Sequence, residues 1–167
     1  MSAEDYLALV KSLIALCPVV TGVSIIREDA QGDKGLWRYR LTLKDGSLLE
    51  MFEFFEVQSG QVKAIKYSFH WQRDDGQIIK RWDNAAHHPE IETYPHHLHD
   101  GAEDLVFAYQ PVSFEEILQV ISDAVNLSYS GFHMSIGKIR LLKYLRNLDF
   151  IAHGQLKTAI AIAYHHS

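Results

Sequence analysis

Apolar and polar side chains alternate from residue 36 to residue 83 in four runs, broken at Asp45-Gly46, Ser59-Gly60 and Asp75-Gly76. Alternation with a period of two marks a strand with one buried face. A residue pair ending in glycine between two such runs signals a hairpin, because a two-residue type I′ turn needs positive φ at both positions. The pattern predicts strands over 36–43, 48–57, 62–72 and 78–83, and counting outward from each turn sets a register. One face then collects Trp37, Tyr39, Leu41, Leu43, Leu48, Phe52, Phe54, Ile65, Tyr67, Phe69, Trp71, Ile78 and Trp82. The other collects Arg38, Arg40, Met51, Glu53, Phe55, Lys66, Ser68, His70, Ile79, Arg81 and Asp83. The first face is the expected core. Glu50 interrupts its apolar series and is expected near an edge of the sheet.

Outside the meander the period changes. Tyr6, Leu7, Leu9, Val10, Leu13, Ile14 and Leu16 follow the 3.6-residue spacing of one helical face, with Ser2 placed to cap it and Pro18 placed to end it. Residues 19–27 are rich in Val, Ile and Thr and predict a first strand, with a polar turn region after it. Residues 84–103 hold Pro89, Pro95 and Gly101 without sustained periodicity and are expected to be a long ordered loop; 104–109 predict a short strand. Ser113 with Glu116 three residues on opens a capping-box helix expected to end at Asn126. These elements make an α+β fold: a four- or five-stranded antiparallel meander with the helices packed on its aromatic face and a long histidine-rich loop. Residues 1–126 are expected to form the domain and 127–167 a helical C-terminal extension, in which basic residues lie between Ile136, Ile139, Leu142, Leu145 and Leu148.

Candidate chemistry concentrates between residues 66 and 99. Counting back from Asp75-Gly76 sets His70 opposite Arg81, Ser68 opposite Asp83 and Phe69 opposite Trp82. His70 and Arg81 therefore share the polar face. Histidine moves protons near neutral pH, and arginine holds phosphate or stabilises developing negative charge. Together they suit phosphoester chemistry. RNA cleavage by the ribose 2′-hydroxyl needs a base, an acid and a cation, with no metal required. His87, His88, His96, His97 and His99 offer the second proton carrier, and Arg38, Arg40, Lys66 and Ser68 on the same face would hold the substrate. Asp83 equally suits a cap on the backbone of Ala85 or Ala86. A purely structural pairing of His70 and Arg81 through Ser68 and Asp83 accounts for the same residues. Metal binding is set aside on three grounds: adjacent His87 and His88 do not easily both turn to one ion, Pro89 fixes the chain after them, and no established zinc spacing is present. His97 and His99 would point the same way if extended, which keeps a three-histidine site in view.

Composition narrows the class. With 167 residues, nearly half hydrophobic and about a fifth charged, the chain has the make-up of a soluble globular domain. Its apolar runs are too short for a membrane span and its start lacks a signal-peptide pattern, so the cytoplasm is the expected compartment and a membrane is not an expected partner. A single cysteine, Cys17, excludes an internal disulfide. The net charge of −5 divides into −9 over residues 1–126 and +4 beyond them. An acidic body argues against broad nonspecific nucleic-acid binding and leaves room for a local basic patch or a basic protein partner.

The words HWQ at 70–72, RWDNA at 81–85, the pair His87-His88 and the run TYPHHLH at 93–99, in this order and spacing, resemble the TumE-like toxin family of prokaryotic toxin–antitoxin modules. The resemblance spans about residues 1–126. It implies a small cytoplasmic toxin, neutralised by a protein antitoxin encoded by a neighbouring gene, with RNA as target. The reading preferred at this point is a toxin acting as a metal-independent ribonuclease through His70 and Arg81, without a cofactor and with homodimerisation open. Two others stand beside it: a noncatalytic protein-binding module, and a metal-dependent hydrolase using the loop histidines.

Overall fold

Ser2 accepts a hydrogen bond from the Asp5 N–H at 3.1 Å while its own N–H donates to the Asp5 carboxylate at 2.8 Å, a closed capping box that starts α1 (Ala3–Leu16). The same reciprocal pair, Ser113 with Glu116, starts α2 (Phe114–Tyr129). Each box satisfies N–H groups that a helix start leaves without partners. The computed structural model describes residues 1–129. The helix expected around 136–148, and all of the C-terminal extension from residue 130, lie outside the described residues; α2 itself runs three residues past Asn126.

Between the helices seven strands form one antiparallel sheet in chain order: β1 (Val20–Gln31), β2 (Lys34–Leu43), β3 (Leu48–Gln58), β4 (Gln61–Gln72), β5 (Ile78–Asp83), β6 (His97–Asp100) and β7 (Val106–Ala108). The α+β meander is as expected, but the sheet has seven strands where four or five were predicted. The strand with no counterpart in the prediction is β6; β7 falls within the short strand expected at 104–109, which joins the meander as its seventh strand. β6 was concealed inside the expected loop because its buried alternate positions are histidines, which no hydrophobic pattern marks. β1 also continues four residues past the predicted end, through the polar run at 28–31.

Two of the three turns differ from the two-residue form. At Asp45-Gly46 and Asp75-Gly76 only the glycine has positive φ (84° and 86°). Gly46 N–H donates to Leu43 O and Leu43 N–H to Ser47 O; Gly76 and Arg73 repeat the pattern with Arg73 O and Gln77 O. These are three-residue loops, a type I turn closed by a left-handed glycine, and each shifts the register by one. At the first turn the shift persists, so Leu41 pairs with Leu49 and Tyr39 with Met51. The faces of β3 are therefore the reverse of those predicted: Leu49, Met51, Glu53 and Phe55 are buried on the core side, and Phe52 and Phe54 lie on the polar side. A bulge at Ile65 reverses the parity again, bringing Tyr67, Phe69 and Trp71 into the core and leaving Ile65 exposed. At Asp75-Gly76 a bulge at Ile79 cancels the turn's shift, and His70 faces Arg81, Ser68 faces Asp83 and Phe69 faces Trp82 as counted. Only Ser59-Gly60 has positive φ at both residues (51° and 77°).

Both helices lie on the aromatic face. Tyr6 of α1 meets the Phe55 ring edge-on at 4.6 Å, and Phe114 of α2 meets Trp37 edge-on at 5.7 Å. Trp37, Phe69 and Trp82 are almost completely removed from solvent. Burying this much aromatic surface is the main favourable term for the sheet. The opposite face, which neither α1 nor α2 covers, carries the charge.

Candidate functional site

Strand pairing aligns two rows of side chains across the polar face. In the first, Arg40, Glu50, His70, Arg81 and His99 stand side by side on β2 to β6. The second runs Arg38, Phe52, Ser68, Asp83 and His97 on the same five strands. Neighbouring strands lie about 4.8 Å apart, which brings the side chains of each row within reach of one another. Glu50, expected near an edge, is central: Arg40 Nη2 donates to it at 2.7 Å and Arg38 Nη1 lies 3.7 Å away. Arg38 also stacks over the Phe52 ring at 5.2 Å, using the aromatic that the slipped register turned outward. Arg38, Arg40 and Lys66 are exposed on this face.

Arg81 is the hub. Its Nε donates to Asp83 Oδ2 at 2.9 Å, Nη1 to Glu103 Oε1 at 2.6 Å and Nη2 to His99 Nε2 at 2.8 Å. Asp83 is buried and also accepts the Ala85 N–H at 3.0 Å, as its capping role requires. His99 Nδ1 donates to the Glu103 carbonyl at 2.7 Å, and a carbonyl can only accept, so His99 is a neutral ring whose Nε2 lone pair faces Arg81. Burial lowers its proton affinity further. His70 is half-buried, its buried Nε2 has no hydrogen-bond partner among the described residues, and burial with the Arg81 charge keeps it below the usual histidine range.

The chain after Asp83 folds back over β6. His87, His88, His97 and His99 come together, with the His87 and His88 rings 4.3 Å apart and both within 5 Å of His97, centroid to centroid. One ligand nitrogen from each of the four lies within 4.8 Å of every other. The expectation that adjacent His87 and His88 would not turn to one point is thus not met: the turn preceding Pro89 presents both rings to β6. His97 and His99, two apart on an extended strand, share a face as expected. Burial also lowers the proton affinity of His87.

His96 is elsewhere. Its Nδ1 lies 3.0 Å from the Tyr67 hydroxyl and its ring stacks on Tyr67 at 5.8 Å, beside a pocket that Tyr6, Glu53, Val112 and Ser113 also line. Of the sequence-derived candidates, His70, Arg81, Asp83, His87, His88, His97 and His99 meet on one surface, Ser68 sits among them, and His96 belongs to the helical side. Glu50, Phe52, Glu90 and Glu103 are further members. Glu50 had a signal in the sequence, its break in the apolar series; Glu103 had none, because it reaches Arg81 only through the pairing of β5 with β6.

The family model described as Toxin TumE matches residues 10–128, a span that contains every residue of both rows and of the histidine cluster. No curated protein and no solved structure matches the chain.

Proposed function

The chain belongs to the TumE toxin family, and we propose that its toxicity is exerted on RNA by the polar face of the sheet, with a protein antitoxin from a neighbouring gene as its neutralising partner in the cytoplasm. The observation that carries this reading is the row Arg40, Glu50, His70, Arg81 and His99, which sets a neutral imidazole between charged groups on the face of the sheet opposite α1 and α2. Exposed Arg38, Arg40 and Lys66 supply positive charge for a phosphate backbone. His70 takes the proton of a ribose 2′-hydroxyl, whose oxygen attacks the adjacent phosphorus. The bond to the 5′-oxygen breaks, and the proton taken up by His70 passes to that leaving oxygen. Arg81, committed to Asp83, His99 and Glu103, positions these groups.

Induced expression of wild type and His70→Ala, with growth and total RNA followed over time, tests the reading. Wild type should arrest growth and fragment RNA, His70→Ala should do neither while remaining folded, and co-expression of the neighbouring gene should restore growth. Intact RNA in arrested cells would overturn the RNA target. A second reading, a binding face without chemistry, is favoured by the engagement of Arg81 within the chain; folded His70→Ala that stays fully toxic would support it.

A further inference from the structure

We infer that His87, His88, His97 and His99 form a binding site for a borderline transition-metal dication, zinc being the representative, which fastens the chain at 84–96 to β6. The inference concerns binding alone and stands whether or not RNA is the target.

Three observations carry it. First, the four ligand nitrogens converge within 4.8 Å, although they come from two separate segments. A tetrahedral shell with Zn–N bonds of about 2.1 Å has nitrogens about 3.4 Å apart, so closure needs only small rotations of the rings. Second, the outer nitrogens are held. Nδ1 of His88 faces Glu90 Oε1 at 3.0 Å, that of His97 the Pro95 carbonyl at 2.9 Å and that of His99 the Glu103 carbonyl at 2.7 Å. Each acceptor fixes its ring with Nδ1 protonated and leaves the Nε2 lone pair for an ion, the arrangement that supports metal-bound histidine. Third, His97 is 2% exposed, yet its Nε2 has no hydrogen bond among the described residues; it lies 3.1 Å from Asp83 Oδ1 without hydrogen-bond alignment. A buried polar atom without a partner is costly, and converging lone pairs beside a carboxylate repel unless a cation lies among them.

The donor set selects the class of ion. Four neutral imidazoles suit zinc, copper or nickel and are poor ligands for magnesium or calcium, which take oxygen. Arg81 Nη2 occupies the His99 lone pair at 2.8 Å. The ion would displace that single bond, while Arg81 keeps its bonds to Asp83 and Glu103.

The test uses the full chain, untagged, stripped with chelator and then titrated with zinc by calorimetry, with bound metal measured after dialysis. Four tail histidines, His133, His153, His165 and His166, are replaced by glutamine in a parallel full-length variant. Wild type and this variant should each hold one zinc and melt at a higher temperature with it. His88→Gln and His97→Gln should each weaken binding at least about tenfold, Glu90→Gln should weaken it by a smaller factor, and His96→Gln should leave it unchanged. Cobalt in place of zinc should give the visible absorption of a tetrahedral site in wild type and lose it in His88→Gln. His88 lies at the surface of the cluster, so its variant answers even if His97→Gln fails to fold. Absence of stoichiometric binding, binding that persists in His88→Gln, or binding that disappears with the tail histidines would overturn the inference.

Discussion

Arg81 Nη2 donates to His99 Nε2 across 2.8 Å, joining β5 to β6 by a side-chain bond parallel to the backbone ladder. Through the same guanidinium it neutralises buried Asp83. Arg81→Ala should therefore destabilise the protein by about 3 kcal/mol, the cost of leaving a buried carboxylate without its partner. Arg81→Lys should recover part of this, since an ammonium keeps the charge and loses the planar fork. Glu103→Ala removes an exposed partner and should cost below about 1 kcal/mol. Urea unfolding of the three variants checks the order; equal costs for Arg81→Ala and Glu103→Ala would refute the hub role.

His70 and Trp82 lie on adjacent strands and opposite faces of the sheet. Trp82→Ala empties a fully buried site and should cost about 3 to 5 kcal/mol. His70→Ala, on the half-buried polar face, should change stability far less while abolishing toxicity. Thermal melts paired with growth assays separate the two, and a His70→Ala protein that melts as low as Trp82→Ala would make His70 a structural residue.

Glu53 supplies a pH dependence with a definite sign. Burial pushes its carboxyl up to about 7 from 4.5, against the hydrogen bond donated by Tyr6 at 2.8 Å. The folded state thus binds a proton that the unfolded state releases earlier. Stability from this group is complete below about pH 4.5 and is lost as pH rises through 7, on the order of 2 to 3 kcal/mol. Glu53→Gln should flatten that slope. His70, His87, His96 and His99 act in the opposite sense: held neutral by burial, they contribute stability that is complete above pH 6.5 and is lost as pH falls below it through their lowered values. Subtracting the variant's urea midpoints from those of wild type between pH 5 and pH 8 cancels the histidines, and a flat difference would exclude Glu53 as the titrating group.

Gly35 is a packing requirement. A Cβ there would stand 2.4 Å from Phe55 Cζ, and Phe55 is completely buried. Gly35→Ala should cost about 1 to 3 kcal/mol through overpacking. Combining it with Phe55→Leu, which vacates the contested space, should give less than the sum of the two single losses; simple additivity in urea unfolding would place the strain elsewhere.

The hairpin that carries His70 and Arg81 was legible because two departures from the assumed geometry cancelled, a three-residue turn and the bulge at Ile79. Asp45-Gly46 has the same turn without the compensating bulge, and there alternation misled: Phe52 and Phe54 look like core residues, whereas Met51 and Phe55 are. Apolar side chains on both faces of β3 gave the pattern nothing to decide between. The helices were legible from spacing and from the capping residues Ser2 and Ser113, both local signals. The histidine cluster was not, since its assembly depends on β6 pairing with β5 across an intervening loop, and burial of His97 and His99 contradicts their polarity.

Strand order equal to chain order has a consequence for synthesis. Each strand of the meander pairs with the one made just before it, so β1 to β5 can assemble progressively behind the ribosome. His97 and His99 emerge after that framework, and Glu103 later still. A nascent chain halted before residue 97 carries most of the sheet and none of the β6 side of the cluster. The polar face is therefore completed late in translation, and a product released before residue 97 would carry the β2 to β5 part of both rows without His97, His99 or Glu103.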